Sequence, residues 1–267
     1  MAERLIVIRT PAGISGDMLC AGLATLAGFD DSALADAVTS IGMPALNGSA
    51  MVVGHSVARI SGFQLDVHLP HEHVHRSFKD ICSIIDGSAM TPRAQALAMD
   101  AFGLLAEVEG RIHGVPVPEV VFHEIGALDS ILDICLAAIL FDGLQPARLI
   151  CSPLPLADGA IRCAHGLLMS PAPAVQDLLA GVPVYGVPAE GETVTPTALA
   201  LLKAFGAVFG NWPSIVPEKL VRIYGGKVFK SLPNGALFAL GISHAYGVAE
   251  TGSFPAHFHG DRSRDHA

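Results

Sequence analysis

Paired cysteines, clustered basic charge and long apolar runs are what this chain of 267 residues has least of. Its five cysteines, Cys20, Cys82, Cys135, Cys151 and Cys163, include no Cys-x-x-Cys pair and are odd in number. That argues against a disulfide framework or a structural zinc knuckle, so reduced thiols are expected. Lys and Arg total 16 against 25 Asp and Glu, a formal charge of −9. Nucleic-acid binding needs clustered cations to displace counterions from phosphates, so it is not expected. Cations, or a small anion held locally, suit this balance better. The two best apolar runs, 131–144 and 198–212, are cut by Asp133 and Asp142 and by Lys203 and glycines. Both fall short of the roughly 18–20 residues of a bilayer span and read as buried helices, with no membrane partner expected. Glu3 and Arg4 precede only four apolar residues, which is no secretory segment, and a cytoplasmic location is expected.

What is present is 51% hydrophobic residues with only 15% charged, enough to bury a large core. The 28 glycines and 18 prolines are dispersed, the punctuation of short strands alternating with helices. The fold class read from this is α/β, a mixed sheet with helices packed on it. One main domain is expected over 1–247, with a flexible tail at 248–267. A strand at 5–8 leads through a glycine turn into a helix at 18–27, and a second helix follows at 31–41. The alternation over 51–68 predicts a hairpin turning around Ser61 and Gly62. Ser77 can cap a helix to Asp86, and Thr91-Pro92 begins one running toward His113. Val120 to His123 is a brief apolar run, and 126–142 has helical spacing. Two extended pieces are expected in 148–165, a helix at 172–180, and a helix from Thr195-Pro196 to Phe209. Strands at 219–223 and 236–242 close the domain.

Three constellations can carry chemistry. His68, His71, His73 and His75 put four imidazoles into the break at 68–76. Imidazole suits nickel, zinc and copper, although a solvated His-rich turn has the same composition. His123, Glu124, Asp129 and Asp133 gather an imidazole and carboxylates around a helix start, with Asp129 and Asp133 one turn apart. They can ligate a divalent cation or favour the helix dipole. Gly13-Ile-Ser-Gly-Asp17 sets backbone N–H groups at a helix start, where a phosphate can sit or Asp17 can hold its cation. No Lys follows, so it is no Walker loop, and a plain strand-to-helix turn is the alternative. Cys163 reads as a small buried hydrophobe and His165 as a functional imidazole.

Taken in order, these segments resemble the LarC family of nickel-insertion proteins over about residues 5–242. The resemblance is carried by Ala12-Gly-Ile-Ser-Gly-Asp-Met18, the His-rich break at 71–76 and Phe122-His-Glu-Ile-Gly-Ala-Leu-Asp-Ser-Ile131. It continues through Ser152-Pro-Leu-Pro-Leu156, Ala164-His-Gly166, Pro171-Ala-Pro173, Gly191-Glu-Thr-Val-Thr-Pro-Thr197, Tyr224-Gly-Gly226 and Pro233-Asn234. It implies a nickel chelatase of the lyase class, inserting nickel into pyridinium-3,5-bisthiocarboxylic acid mononucleotide to complete the nickel-pincer cofactor of lactate racemase. In the family that step is linked to CTP with manganese or magnesium. On this reading His68, His71, His73, His75, His123, Glu124, Asp129 and Asp133 handle metal. His123, Glu124, Asp129 and His165 are catalytic, and Gly13, Ser15, Gly16, Asp17, Glu192, Thr195 and Thr197 bind the cofactor. The C-terminal CTP-binding domain of longer members is expected to be absent, which implies a separate subunit as partner, and a homo-oligomer is compatible. Arg9 and Thr10 stand where members usually carry an acid and a cysteine, replacing a ligand with a cation. The alternative readings are a non-catalytic nickel storage or delivery protein, and a metal-dependent phosphate-ester hydrolase.

Overall fold

A computed structural model describes residues 2–72, 74–122, 126–163 and 166–244, without the side chains of Arg162 and Cys163. The chain opens with β1 (Arg4–Arg9), α1 (Gly16–Ala27) and α2 (Asp31–Ser40), and continues with the hairpin β2 (Ala50–Val57) and β3 (Ile60–Val67). A short strand β4 (Arg76–Ser77) leads into α3 (Phe78–Asp86) and α4 (Pro92–His113); β5 (Val121–Phe122) then precedes α5 (Leu128–Leu144). Next come β6 (Arg148–Cys151), β7 (Leu154–Asp158), β8 (Ala160–Cys163), β9 (Gly166–Met169), α6 (Pro173–Leu178) and β10 (Val184–Glu190). The described chain ends with α7 (Pro196–Ala204), β11 (Val208–Phe209), β12 (Ile215–Ile223) and β13 (Ala236–Ser243).

Helix starts follow local chemistry. Asp30 accepts from the Ala33 N–H at 2.8 Å, and Ser77 and Asp80 form a capping box. Thr91 and Thr195 cap α4 and α7, each followed by proline, whose missing N–H costs nothing there. Gly114, at φ 68°, closes α4 in the left-handed region.

The main sheet runs β11-β6-β1-β13-β12-β3-β2 and is mixed. β1 pairs with β6 in parallel and with β13 antiparallel, Ile6 opposite Leu240. Ile6, Ile8, Phe238 and Leu240 turn to the helices and join the main core. Leu5, Val7, Ile150 and Ala239 form a small second cluster. The buried residues of α5 occupy its whole circumference, and it packs against α1, α4 and α7, the central position its apolar run predicts. The mixed α/β class read from the sequence is the class observed. Among the described residues no helix is long and apolar enough to cross a membrane. Cys20, Cys82, Cys135 and Cys151 are free thiols.

Three expectations are corrected. The hairpin turns at Ala58 and Arg59, both at positive φ (51° and 64°), rather than at Ser61 and Gly62. Gly62 is needed inside β3, because a Cβ there would lie 2.6 Å from the Arg222 carbonyl and 2.8 Å from the Tyr224 ring. α7 ends at Ala204 instead of reaching Phe209: Gly206 adopts φ 66°, the Ala207 N–H returns to Leu202, and Val208–Phe209 joins the sheet edge beside β6. The extended region at 148–163 also holds three strands where two pieces were expected.

The seating of α1 on the sheet depends on Gly22, where a Cβ would fall 2.3 Å from the buried Phe238 ring. Gly22→Ala is expected to destabilise the protein by about 1–3 kcal/mol through overpacking, outweighing its gain in helix propensity. Urea unfolding checks this, and an unchanged midpoint would mean that the ring yields freely.

Candidate functional site

β1 delivers the chain to Thr10, after which Pro11–Gly13 turns it back. Gly13 has φ 115°, and a Cβ there would fall 1.8 Å from the Thr193 carbonyl oxygen, so only glycine permits the approach. The Ile14 N–H donates to that carbonyl at 2.9 Å, the Thr195 N–H donates to Ile14 at 3.2 Å, and Ile14 and Val194 form a parallel bridge. The Thr193 hydroxyl donates to the Pro155 carbonyl at 2.7 Å, which ties β7 to the same junction. Gly225 approaches from β12, close to Met18 and Ser15.

These segments enclose a cleft of about 320 Å³ lined by Gly13, Ser15, Asp17, Glu192, Thr195 and the loop residues Lys227 and Asn234, among others. Asn234 shapes that loop. Its Oδ1 accepts from the Phe229 N–H at 2.7 Å, and its Nδ2 donates to the Phe229 and Leu232 carbonyls at 2.6 and 3.1 Å. Lys227 lies 4.7 Å from the Phe229 ring centre and 3.3 Å from the Glu190 carbonyl. Of the residues expected to bind cofactor, Gly16 and Thr197 do not line the cleft. Gly16 backs it, and Thr197 is buried in the first turn of α7. Thr195 also caps α7, accepting from the Ala198 N–H at 3.2 Å.

The carboxylates are grouped around the start of α1. The Ser15 hydroxyl donates to Asp17, which also accepts from backbone N–H groups at its own position and at Met18. Burial nevertheless holds the Asp17 carboxyl above its usual range. Asp133 reaches from α5 to the back of Gly16, where a Cβ would lie 2.3 Å from Oδ2. Burial pushes its carboxyl well up, and the charges of Asp17 and Asp129 add to the shift. Burial likewise pushes the Cys20 thiol well up, and that thiol donates to the Asp133 carbonyl at 3.2 Å. Asp129 is exposed and accepts from the Ser130 N–H at 2.7 Å.

The His-rich segment lies elsewhere. His68, His71 and His75 are exposed, His68 sits 3.1 Å from Asp66, and none of the three lines the cleft. Glu72 and Arg76, which the sequence reading passed over as ligands, anchor this segment. Their ion pair is half-buried, with one contact at 2.9 Å; Arg76 donates to the Gly126 carbonyl at 2.7 Å, and Glu72 accepts from the Leu128 N–H. Pairing with Arg76 holds the Glu72 carboxyl below its usual range. Arg76 also pairs with Phe122 in the β4–β5 ladder, so both flanks of 123–125 are fastened to one residue. His73, His123, Glu124 and His165 lie outside the described residues. Among the described residues no three His, Cys, Asp or Glu side chains gather as a metal cage. Arg9 and Thr10 are engaged away from the cleft. Arg9 donates to Gly210 at 2.7 Å beside Trp212, while Thr10 is buried and bonded to Ser152 at 3.0 Å.

The profile of the family described as nickel insertion protein matches residues 6–253. A relative from Geotalea daltonii with nickel insertion in its name is 37% identical over 86% of this chain and 59% of its own length. One from Myxococcus xanthus, similarly named, is 38% identical over 90% of this chain and 61% of its own. The pyridinium-3,5-bisthiocarboxylic acid mononucleotide nickel insertion protein of Desulfitobacterium hafniense strain DCB-2 is 38% identical over 78% of this chain and 51% of its own. The chain thus spans about half to three-fifths of the length of these relatives. No solved structure matches.

The raised Asp133 carboxyl has a consequence for stability. As pH rises, the unfolded chain releases this proton first, so the folded state loses stability between the ordinary carboxylate range and the higher folded value, and the loss persists at neutral pH. In metal-free protein, Asp133→Asn is expected to raise the melting temperature by about 2–4 °C near pH 7. The gain should shrink as pH falls toward about 4. Thermal melts in chelator across that range check the sign, and a pH-independent difference would refute the assignment.

Proposed function

The chain belongs to the nickel insertion protein family, and from that premise we propose that it handles nickel as substrate for insertion into pyridinium-3,5-bisthiocarboxylic acid mononucleotide. The observation that carries this reading is the convergence of four separated segments, 12–18, 192–195, 225–229 and 234–235, on one cleft. Such a cleft, with polar groups converging on an otherwise apolar wall, suits a small phosphorylated ligand. Exposed His68, His71 and His75, with His123 and Glu124 following in the chain on Phe122, the β5 partner of Arg76, supply the borderline ligands that nickel prefers. Asp129 and Asp133 supply the harder oxygen donors. His165, in the chain between β8 and β9, is the further candidate to accept a proton or ligate.

CTP, manganese or magnesium, and a separate CTP-binding subunit belong to the same proposal. Half-buried Asp133, with no cation paired to it among the described residues, is an oxygen donor that would fit a hard divalent ion. When bound, such an ion offers charge neutralisation at a phosphate. Asp17 and Asp133 then position ligand at the start of α1, and Asn234 keeps Lys227 over the cleft. A second reading, stoichiometric nickel storage or delivery, draws support from Arg9 and Thr10, whose side chains serve the scaffold where the family usually offers ligands.

The decisive assay mixes this chain with nickel, CTP, manganese and the metal-free precursor, with and without the C-terminal region of a longer relative. Nickelated product in either mixture is expected, whereas nickel binding without turnover in both would transfer the assignment to storage or delivery. Replacing His71, His73 and His75 together by alanine is expected to reduce nickel uptake at least tenfold, on the order of 1.4 kcal/mol per tenfold. The melting temperature should be nearly unchanged, because His71 and His75 are exposed. Calorimetry showing undiminished uptake would remove the loop from the mechanism.

A further inference from the structure

Phe229 is an aromatic residue that the fold holds in place without using it as core. It lines the cleft, half-buried, and among the described residues it packs on neither hydrophobic cluster. Its chain neighbours Val228 and Lys230 are exposed. What fixes it is a clamp on its backbone. The Asn234 side-chain amide accepts from the Phe229 N–H at 2.7 Å and donates to the Phe229 carbonyl at 2.6 Å, so one planar group holds both polar atoms of the same residue. Ordering backbone costs conformational entropy at every residue fixed, and a clamp on a ring outside the core calls for a use of that ring.

The ring already has an occupant. The Lys227 ammonium stands over it, 4.7 Å from its centre, and also reaches the Glu190 carbonyl at 3.3 Å, crossing from the loop after β12 to the end of β10. Lys227 is exposed, and an ammonium on an exposed aromatic face is held only modestly, so it is readily displaced. The negative face of a ring attracts a flat aromatic cation as well, over a larger contact than an ammonium makes. Among the described residues that line the cleft, Phe229 is the aromatic one.

Resting on the reading of the cleft as the mononucleotide site, we propose that Phe229 is the residue by which it selects a pyridinium ring, with Lys227 as the exchangeable occupant. The ammonium covers the ring until ligand enters. The pyridinium then stacks on Phe229, and the displaced ammonium pairs with the phosphate of the same ligand, a charge-assisted contact. Selectivity follows from the exchange. An uncharged ring takes the ammonium off the aromatic face without replacing its positive charge, whereas a pyridinium replaces it.

The test uses the whole chain and calorimetry with nicotinamide mononucleotide, whose ring is a pyridinium, with its reduced dihydro form, whose ring is uncharged, and with nicotinamide riboside, which lacks the phosphate. The oxidised mononucleotide is expected to bind about five- to thirtyfold more tightly than the reduced one, the range of a desolvated cation–π contact. Phe229→Leu should remove that preference, and Phe229→Trp should keep it. Lys227→Ala separates the two roles by sign: it should weaken the mononucleotide, which loses its phosphate partner, and tighten the riboside, which meets a ring without its competitor. Should Phe229→Leu fail to fold by circular dichroism, the oxidised-to-reduced ratio of the wild-type chain and the opposite shifts in Lys227→Ala still decide. Equal affinity for the two mononucleotides, a preference that survives in folded Phe229→Leu, or shifts of the same sign in Lys227→Ala would each overturn the role of the ring and leave the cleft as the nucleotide site. Absence of binding by both mononucleotides would overturn the reading of the cleft as well.

Discussion

The candidate site exists because two stretches of backbone distant in sequence meet with nothing between them. Gly13 touches the Thr193 carbonyl at a distance no side chain tolerates, in a left-handed conformation that L-residues avoid. Once that contact is made, Ile14 and Val194 bridge in parallel, and the next residues on each side, Ser15 and Thr195, become the positions from which α1 and α7 start. Two helix origins are thereby fixed relative to one another by backbone alone. Thr193 carries the constraint outward through its hydroxyl to β7, and Gly225 brings the β12–β13 connection against Met18. Loosening this junction would separate every wall of the cleft at once.

Against that rigid frame the treatment of acids is uneven. Glu72, half-buried, has the Arg76 guanidinium and a backbone N–H. Asp133, on α5 behind Gly16, has neither among the described residues. A structural acid in an apolar setting is normally paired, because an isolated charge there is costly. Among the described residues, then, the acid that holds the His-rich segment in place is neutralised and the acid at the start of α1 is not. Such local departure from good packing chemistry, surrounded by elements whose caps and core are in order, is the pattern expected where stability yields to binding.

Much of the fold was legible in the sequence because its signals are local. Thr91-Pro92 and Thr195-Pro196 announced helix starts, and the near-continuous apolar run at 131–144 announced a helix buried on all sides. The errors came from glycines whose meaning is tertiary. Gly62 looked like a turn and is instead a close approach to Tyr224, while Gly206 ended a helix that periodicity alone would have extended. The site was legible only in part, for the same reason. Ser15, Asp17, Glu192 and Thr195 could be named from their motifs, yet Lys227 is an unremarkable lysine until the Asn234-braced loop brings it to the cleft. Glu72 was hidden among histidines, and its partner 4 residues on was a visible spacing that was left unused.

The separation of imidazoles from carboxylates bears on which nickel reading is physically coherent. A storage site is best built from enclosed, preorganised ligands, since ordering the donors in advance raises affinity. His71 and His75 are exposed, and no described cage surrounds them. Exposed imidazoles must give up rotamer freedom when they capture an ion, which lowers their affinity for it. Lower affinity suits a step in which the metal has to leave for an acceptor, because transfer runs downhill only when the acceptor holds the ion more tightly than the donor. The Glu72–Arg76 anchor answers the remaining requirement. It ties the weak donors to the start of α5, the helix that also carries Asp129 and Asp133, so that a captured ion and a carboxylate-held ligand are referred to one rigid element.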